Sequence, residues 1–243
     1  MKTTYHGDNL IQLTRLTAFN CYFVREQDGL TLIDTGLPGS AKGILAAAKQ
    51  ENLPITRIVL THAHGDHVGS LDQLSQALPI AEVAFTARTA RFLSGDLSLT
   101  ADESQAKLRG DFVLRQTKPT RLLAPGDHIG SLEVVAAPGH TPDHIAFWDT
   151  RDGTLIAGDA FQTKAGLAVA GVMRWLFPFP ALATWHPLTA LETARRLRRL
   201  NPTRLAVGHG QVIEDPADLM DRAIAEAEQR LSNGQHKEKV AHG

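Results

Sequence analysis

Apolar positions along this chain follow two alternating rhythms. Ile11-Gln12-Leu13-Thr14-Arg15-Leu16 alternates with period two, the pattern of a half-buried strand. Cys21–Arg25 and Leu30–Ile33 read as further strands, the latter after the turn Asp28-Gly29. Ser40–Glu51, rich in Ala, Leu and Lys and stopped by Pro54, reads as a helix. Arg57–Leu60 is the next predicted strand. Val68, Leu71, Leu74 and Leu78 then recur at helical spacing as far as Pro79. Ala81–Phe85 reads as a strand and Thr86–Leu93 as a short helix. Residues 95–118 are polar and weakly periodic, a surface excursion with a helical piece. Strands are predicted at Arg121–Leu123, Leu132–Ala136, Ile145–Trp148 and Thr154–Ala157, the last two joined by Asp152-Gly153. Residues 164–187 break the rhythm with Leu167, Val169, Trp175, Phe177 and Phe179 set among prolines. Leu188–Leu200 reads as a helix, Leu205–Val207 as a strand and Asp218–Leu231 as a closing helix. Strands followed by helices, twice over, suit two packed sheets with helices outside. The expected organisation is one domain over residues 1–231 and a polar tail over residues 232–243.

Composition adds exclusions. At 243 residues, 43% hydrophobic and 21% charged, the chain is an ordinary globular sequence able to bury a substantial core. A formal net charge of −1 gives no electrostatic argument for nucleic acid or an anionic membrane as partner. Cys21 is the only cysteine, so no intrachain disulfide forms; its apolar neighbours mark it as a buried structural thiol. The N-terminus lacks the apolar core of a signal peptide, and no run of 18 apolar residues exists. A cytoplasmic location is the expectation.

Candidate chemistry gathers at Thr61-His62-Ala63-His64-Gly65-Asp66-His67-Val68-Gly69, directly after the apolar run Ile58-Val59-Leu60. Imidazole nitrogens and carboxylate oxygens are ligands that zinc and its neighbours accept. At an extended strand end His62 and His64 point to one side, and Gly65 lets the chain turn to offer Asp66 and His67. One short stretch has the means to hold two ions. His140, Asp159 and His209 each follow an apolar strand and sit beside a glycine (Gly139, Gly158, Gly208), at strand ends that converge on one edge of a sandwich.

Taken together, THAHGDHVG at 61–69, PGHTPDH at 138–144, GDA at 158–160, GHG at 208–210 and LIDTG at 32–36 resemble the metallo-β-lactamase superfamily of metal-dependent hydrolases. The resemblance implies an α/β fold, a four-layer αββα sandwich of two mixed β-sheets flanked by helices. It also implies a binuclear centre at one edge. His62, His64 and His140 would take the first metal, Asp66, His67 and His209 the second, and Asp159 would bridge them. Asp34 would orient a ligand imidazole by hydrogen bonding, and His144 would be a supporting residue. Two zinc ions are expected because nitrogen dominates the ligand set, with manganese, iron or cobalt as alternatives. The implied reaction is cleavage of an ester, thioester or lactone of a small molecule by a metal-bridging hydroxide, with Asp66 as the catalytic proton carrier.

True β-lactamases of the family usually lack the bridging aspartate, so Asp159 leans towards the thioesterase, lactonase and phosphodiesterase branches. Departures from other branches are visible too. The glycine-cysteine-glycine-arginine segment of the glyoxalase II branch has no counterpart after Asp159. Tyr5 and Tyr22 both precede the first motif, so neither matches the carbonyl-polarising tyrosine of the acyl-homoserine lactonases. Residues 164–187 would form either an apolar pocket wall for an acyl chain, or a core helix or homodimer contact. The helix-borne run Arg195-Arg196-Leu197-Arg198-Arg199 reads as a solvated face. Alternative functions are phosphodiester or β-lactam hydrolysis at the same site, or metal-dependent binding of a small molecule without turnover.

Overall fold

The computed structural model describes residues 1–241. The first sheet holds seven strands whose spatial order equals their chain order: β1 (Lys2–His6), β2 (Leu10–Arg15), β3 (Phe19–Glu26), β4 (Gly29–Ile33), β5 (Ile55–Val59), β6 (Glu82–Thr86) and β7 (Arg121–Leu123). The chain from β1 to β4 is an antiparallel meander, whereas β4 to β7 pair in parallel. Parallel neighbours need crossovers. They are supplied by α1 (Ala41–Glu51), by α2 (Gly65–Val68) with α3 (Leu71–Ala77), and by α4 (Ala87–Leu93) with the excursion after it. The second sheet contains β8 (His128–Ile129), β9 (Leu132–Ala136), β10 (Ile145–Asp149), β11 (Thr154–Ile156), β14 (Arg204–Ala206) and β15 (Ile213–Glu214). Its β11–β14 pair is parallel and its other pairs are antiparallel, so both sheets are mixed. A small hairpin, β12 (Phe161–Gln162) and β13 (Ala168–Val169), follows β11. After it come α5 (Phe179–Leu182), α6 (Pro187–Arg199) and α7 (Ala217–Ala241).

Three apolar layers hold these elements together. Between the sheets, Tyr22, Val24, Ile33 and Val59 pack against Val134, Ile145, Phe147 and Ile156. Outside the first sheet, Leu13, Phe23, Leu32 and Ile58 meet Ile44, Leu71, Leu74 and Phe92 of the helices. Outside the second, Leu155, Leu205 and Val207 meet Leu191, Ala194, Leu197, Met220 and Ile224. Each helix turns one apolar face inward, and the result is a four-layer αββα sandwich. Cys21 is buried within it. The arginines of α6 face outward, with Arg195 paired to Glu228 and Arg198 to Asp221.

A polar seam joins the sheets at one edge. The Tyr22 hydroxyl donates to the Val207 carbonyl (2.6 Å) and accepts from the Val207 N–H (3.1 Å). Asn20 Nδ2 donates to the carbonyls of Val207 (2.9 Å) and Gly210 (2.7 Å), and Gln12 Nε2 to that of Gly210 (2.8 Å).

The short elements β8, β12, β13, β15 and α5 were not expected, and four larger features also differ from the sequence expectation. Strand β1 was not expected; Lys-Thr-Thr-Tyr-His carries no apolar alternation because β1 is a sheet edge held by backbone pairing. The apolar run from Val68 to Leu78 is split into two helices, because Ser70 turns its hydroxyl to the Leu37 carbonyl and its N–H to Thr35 Oγ1. Residues 95–118 contain no helix. Helix α7 runs to Ala241, beyond Leu231 and through most of the segment expected as a polar tail; residues 242–243 lie outside the described residues. No helix among the described residues is long and apolar enough to cross a membrane.

Candidate metal centre

Strand ends bring the candidate ligands together. Strand β5 ends at Val59, and the chain after it carries His62 and His64, the latter in extended backbone, before α2 presents Asp66 and His67 in its first turn. His140 lies in the loop between β9 and β10, Asp159 in a 3-10 turn (Gly158–Ala160) after β11, and His209 just beyond β14. At Gly208 a Cβ would overlap Asp159 Oδ1 and crowd His67, so the bare backbone permits this convergence. Three groups have ligand atoms within 4.8 Å of one another: His62, His64 and His140; His62, His67 and Asp159; and Asp66, His67 and His209. All seven residues predicted from the sequence belong to this cluster. All are buried except Asp66, whose side chain is 27% exposed.

Hydrogen bonds fix which nitrogen bears a proton in four of the five rings. Thr61 Oγ1 donates to Asp34 Oδ2 (2.8 Å) and so accepts from His62 Nδ1 (3.0 Å). A carbonyl oxygen only accepts, so His64 Nε2 donates to the Arg109 carbonyl (2.9 Å). His67 Nδ1 donates to Asp34 Oδ2 (2.8 Å). The Thr184 hydroxyl donates to the Pro180 carbonyl (2.7 Å) and therefore accepts from His140 Nδ1 (3.2 Å). In their neutral forms these four rings direct the other nitrogen, with its lone pair, into the cluster.

Several of those inward atoms have no acceptable partner within the protein. His64 Nδ1 and His140 Nε2 stand 3.0 Å apart as two lone pairs. His62 Nε2, His67 Nε2 and Asp159 Oδ1 are buried without a hydrogen bond, whereas His209 turns its Nε2 into the cluster and donates from it to Asp159 Oδ2 (3.0 Å). Orphaned buried polar atoms are costly, and converging lone pairs repel unless a cation lies between them. The donor set of imidazoles and carboxylates therefore fits divalent transition metals.

Electrostatics agree. Burial pushes His62 and His140 well below the usual imidazole range, which keeps their inward nitrogens unprotonated. Burial also disfavours charge on His67, but the carboxylates of Asp159, Asp34 and Asp66 outweigh it and hold that ring well above the usual range. For Asp159, burial is outweighed by His209 and His67, and the carboxyl stays well below its ordinary value. The negative field at His67 and Asp159 thus attracts a proton where a cation would otherwise sit.

Supporting residues lie where sequence reasoning put them, and also where it did not. Asp34, in a left-handed backbone (φ +60°), accepts from the Thr61 N–H (2.8 Å), the Thr61 hydroxyl and His67. His144 Nε2 accepts from the Asp159 N–H (3.0 Å) and its ring stacks on His62 with centroids 4.8 Å apart, while burial pushes it down to about 3. Thr61, Thr184 and the Arg109 carbonyl were not anticipated. Thr61 adjoins the histidine motif and was within reach; Thr184 and Arg109 carry no sequence signal. His186 caps α6, accepting from Thr189, and takes no part in the cluster.

A cavity of about 340 Å³ opens over the cluster, walled by Phe179, Pro180, Leu182 and Ala183 on one side and by Asp111 on the other. Beside it runs a groove of about 290 Å³ lined by Phe19, Leu37, Pro38 and Val113, with Arg115 at its edge. Asp66, Asp111 and Phe179 line both. Part of the 164–187 segment thus forms a wall of the cavity.

Known proteins are similar to this chain in sequence and fold. The family model of the metallo-beta-lactamase superfamily matches residues 16–209. The uncharacterized protein YobT of Bacillus subtilis (strain 168) is 51% identical over 209 residues, covering 86% of this chain and 90% of that protein. A hydroxyacylglutathione hydrolase of Xanthomonas euvesicatoria pv. vesicatoria (strain 85-10) is 33% identical over 141 residues, covering 58% of this chain and 46% of the enzyme. Among solved structures, TTHA1623 in a di-iron-bound form superimposes with a TM-score of 0.61 at 27% identity, covering 85% of this chain and 94% of that one. The sandwich, the ligand cluster at its edge and these matches place the chain in the metallo-beta-lactamase superfamily.

Proposed function

We propose that the protein is a binuclear metal-dependent hydrolase that cleaves an ester, thioester or lactone of a small molecule bearing an apolar group. The observation that carries this reading is the convergence of inward lone pairs from His62, His64 and His140 beside the buried carboxylate of Asp159. His62, His64 and His140 would hold one ion and Asp66, His67 and His209 a second, with Asp159 available to both. Nitrogen dominates the set, which favours zinc, with iron, manganese and cobalt as alternatives. When bound, the ions supply Lewis acidity, lowering the pKa of coordinated water and polarising a substrate carbonyl.

The chain's own groups do the remaining work. Asp66 is the most exposed of the proposed ligands lining the cavity and is the residue placed to take up and pass on a proton. Asp34 and Thr61 hold the rings of His67 and His62 in one tautomer. Phe179, Pro180 and Leu182 give the cavity one apolar wall, and the Phe19–Leu37–Pro38–Val113 groove offers space for an alkyl or acyl arm. Similarity to a hydroxyacylglutathione hydrolase supports acyl-group chemistry.

The test is a panel of esters, thioesters, lactones, phosphodiesters and β-lactams, assayed on protein reconstituted with zinc, with and without chelator, alongside elemental analysis. The expected result is two ions per chain and chelator-sensitive cleavage of a carboxylic ester, thioester or lactone. His64→Ala and Asp159→Ala are each expected to lower metal occupancy or turnover at least tenfold. Protein that takes up no transition metal, or that cleaves only phosphodiesters or β-lactams, would overturn the proposal.

A further inference from the structure

The excursion between α4 and β7 has no regular structure, yet its middle is fastened to the candidate centre at four points. The Ala106 carbonyl accepts from Trp185 Nε1 (3.0 Å). The Arg109 carbonyl accepts from His64 Nε2 (2.9 Å). The Asp111 carbonyl accepts from the Gly65 N–H (2.8 Å). Phe112 forms an isolated antiparallel bridge with His64, and its ring meets the imidazole edge-on with centroids 4.8 Å apart. Trp185 in turn donates its backbone N–H to the His140 carbonyl (2.8 Å). One exposed segment therefore grips His64 through its ring, its backbone and the residue after it, and reaches the His140 loop through Trp185.

Gly110 makes the grip possible. Its φ of +90° suits glycine, and a Cβ there would overlap Nε2 and Cε1 of His64. Only a bare backbone lets the Arg109 carbonyl come within bonding distance of that ring. The contact decides the chemistry of His64, because a proton held on Nε2 leaves the Nδ1 lone pair facing His140.

The geometry points to residues 106–112 as a positioning strap of the centre, with Gly110 as its steric key, and to mutual stabilisation of strap seating and ion uptake at the His62–His64–His140 end. This rests on reading the cluster as a metal centre. An ion there favours the tautomer that the Arg109 carbonyl selects, so each event strengthens the other by the same factor.

The full-length protein, stripped of metal and titrated with zinc, tests this by hydrogen exchange of the 103–116 region and the Gly65 amide. Zinc is expected to slow exchange of residues 106–112 in the wild type at least tenfold. Gly110→Ala is expected to weaken one of two zinc equivalents at least tenfold, the one also lost in His64→Ala, and to leave the other within threefold. With cobalt(II), the visible absorption of that equivalent should change while the remaining one keeps its spectrum. If Gly110→Ala does not fold, Trp185→Phe, which removes only the donor to Ala106, is expected to show the same loss in smaller measure. Unchanged exchange on zinc binding, or two wild-type equivalents and cobalt spectra in the variants, would overturn the strap. A wild type that binds no zinc overturns the metal reading itself, a separately visible outcome.

Discussion

Asp34 shows how much one side chain can organise. Its two oxygens accept three hydrogen bonds, from the Thr61 N–H, the Thr61 hydroxyl and His67 Nδ1, and so set the tautomers of both His67 and His62. Asp34→Ala is expected to lower zinc affinity by about 10–100-fold, the usual cost of removing such a partner, as read by competition with a chromogenic chelator. Asp143 is a different case. It is buried, accepts from the Thr89 hydroxyl (2.9 Å) through one oxygen, and leaves the other without a partner. Burial pushes its carboxyl up to about 6. A carboxyl raised in the folded state binds more protons folded than unfolded. Its contribution to stability is therefore full at low pH and is lost as pH rises from about 4 through about 6. Asp143→Asn is expected to remove this slope. The wild type, relative to the variant, should lose on the order of 1–3 kcal/mol between pH 4 and 7 in urea denaturation. Equal pH dependence in the two proteins would refute the assignment.

Elements carried by an apolar face were the ones the sequence made plain. Helix α6 shows why: Ala190, Leu191, Ala194 and Leu197 recur on one side and bury there, while its arginines stay outside. Leu197 is fully buried, and Leu197→Ala is expected to cost about 2–5 kcal/mol in urea unfolding with zinc stoichiometry unchanged, since the helix lies on the far side of the second sheet from the first-sheet motif. Strand β1 and the 106–112 strap left no such trace. The former is held by backbone hydrogen bonds at a sheet edge, the latter by carbonyls meeting His64, Gly65 and Trp185. Backbone contacts of this kind impose no hydrophobic period, so a polar segment such as residues 95–118 reads as a surface excursion even where it reaches the centre. The ligands were legible because their side-chain chemistry is rare and they sit beside strand-end glycines. Thr184, whose hydroxyl orients His140, was not, because a threonine among prolines has no distinguishing pattern.

On the scale of the whole molecule, the proposed ions would tie the sheets together. His62, His64 and His67 follow a strand of the first sheet, whereas Asp159 and His209 follow strands of the second. Each ion at a free concentration 100 times its Kd would add about 2.7 kcal/mol to stability. For a chain of this size that corresponds to a rise in melting temperature of about 5–10 °C per ion. Scanning calorimetry of zinc-loaded and chelator-treated protein checks it, and identical melting would exclude a load-bridging centre. The αββα plan itself was recoverable from the strand-and-helix rhythm together with the motif resemblance. The exchange of β7 and β8 between sheets was not, because only three residues and two residues form those strands.

The seam between Asn20, Tyr22 and Val207 also sets an order of events during synthesis. Tyr22 and Val207 are 185 positions apart, and His209 follows only two residues after Val207. A ribosome-bound chain can form the first meander and expose His62, His64 and His67 long before their counterparts from the second sheet emerge. Closing so distant a contact is a slow step, and the centre is completed only when the last long-range strand docks. An ion captured before that point would meet a half-built site. On the proposed metal reading, loading would belong to the end of folding, once both halves of the sandwich have been made and joined.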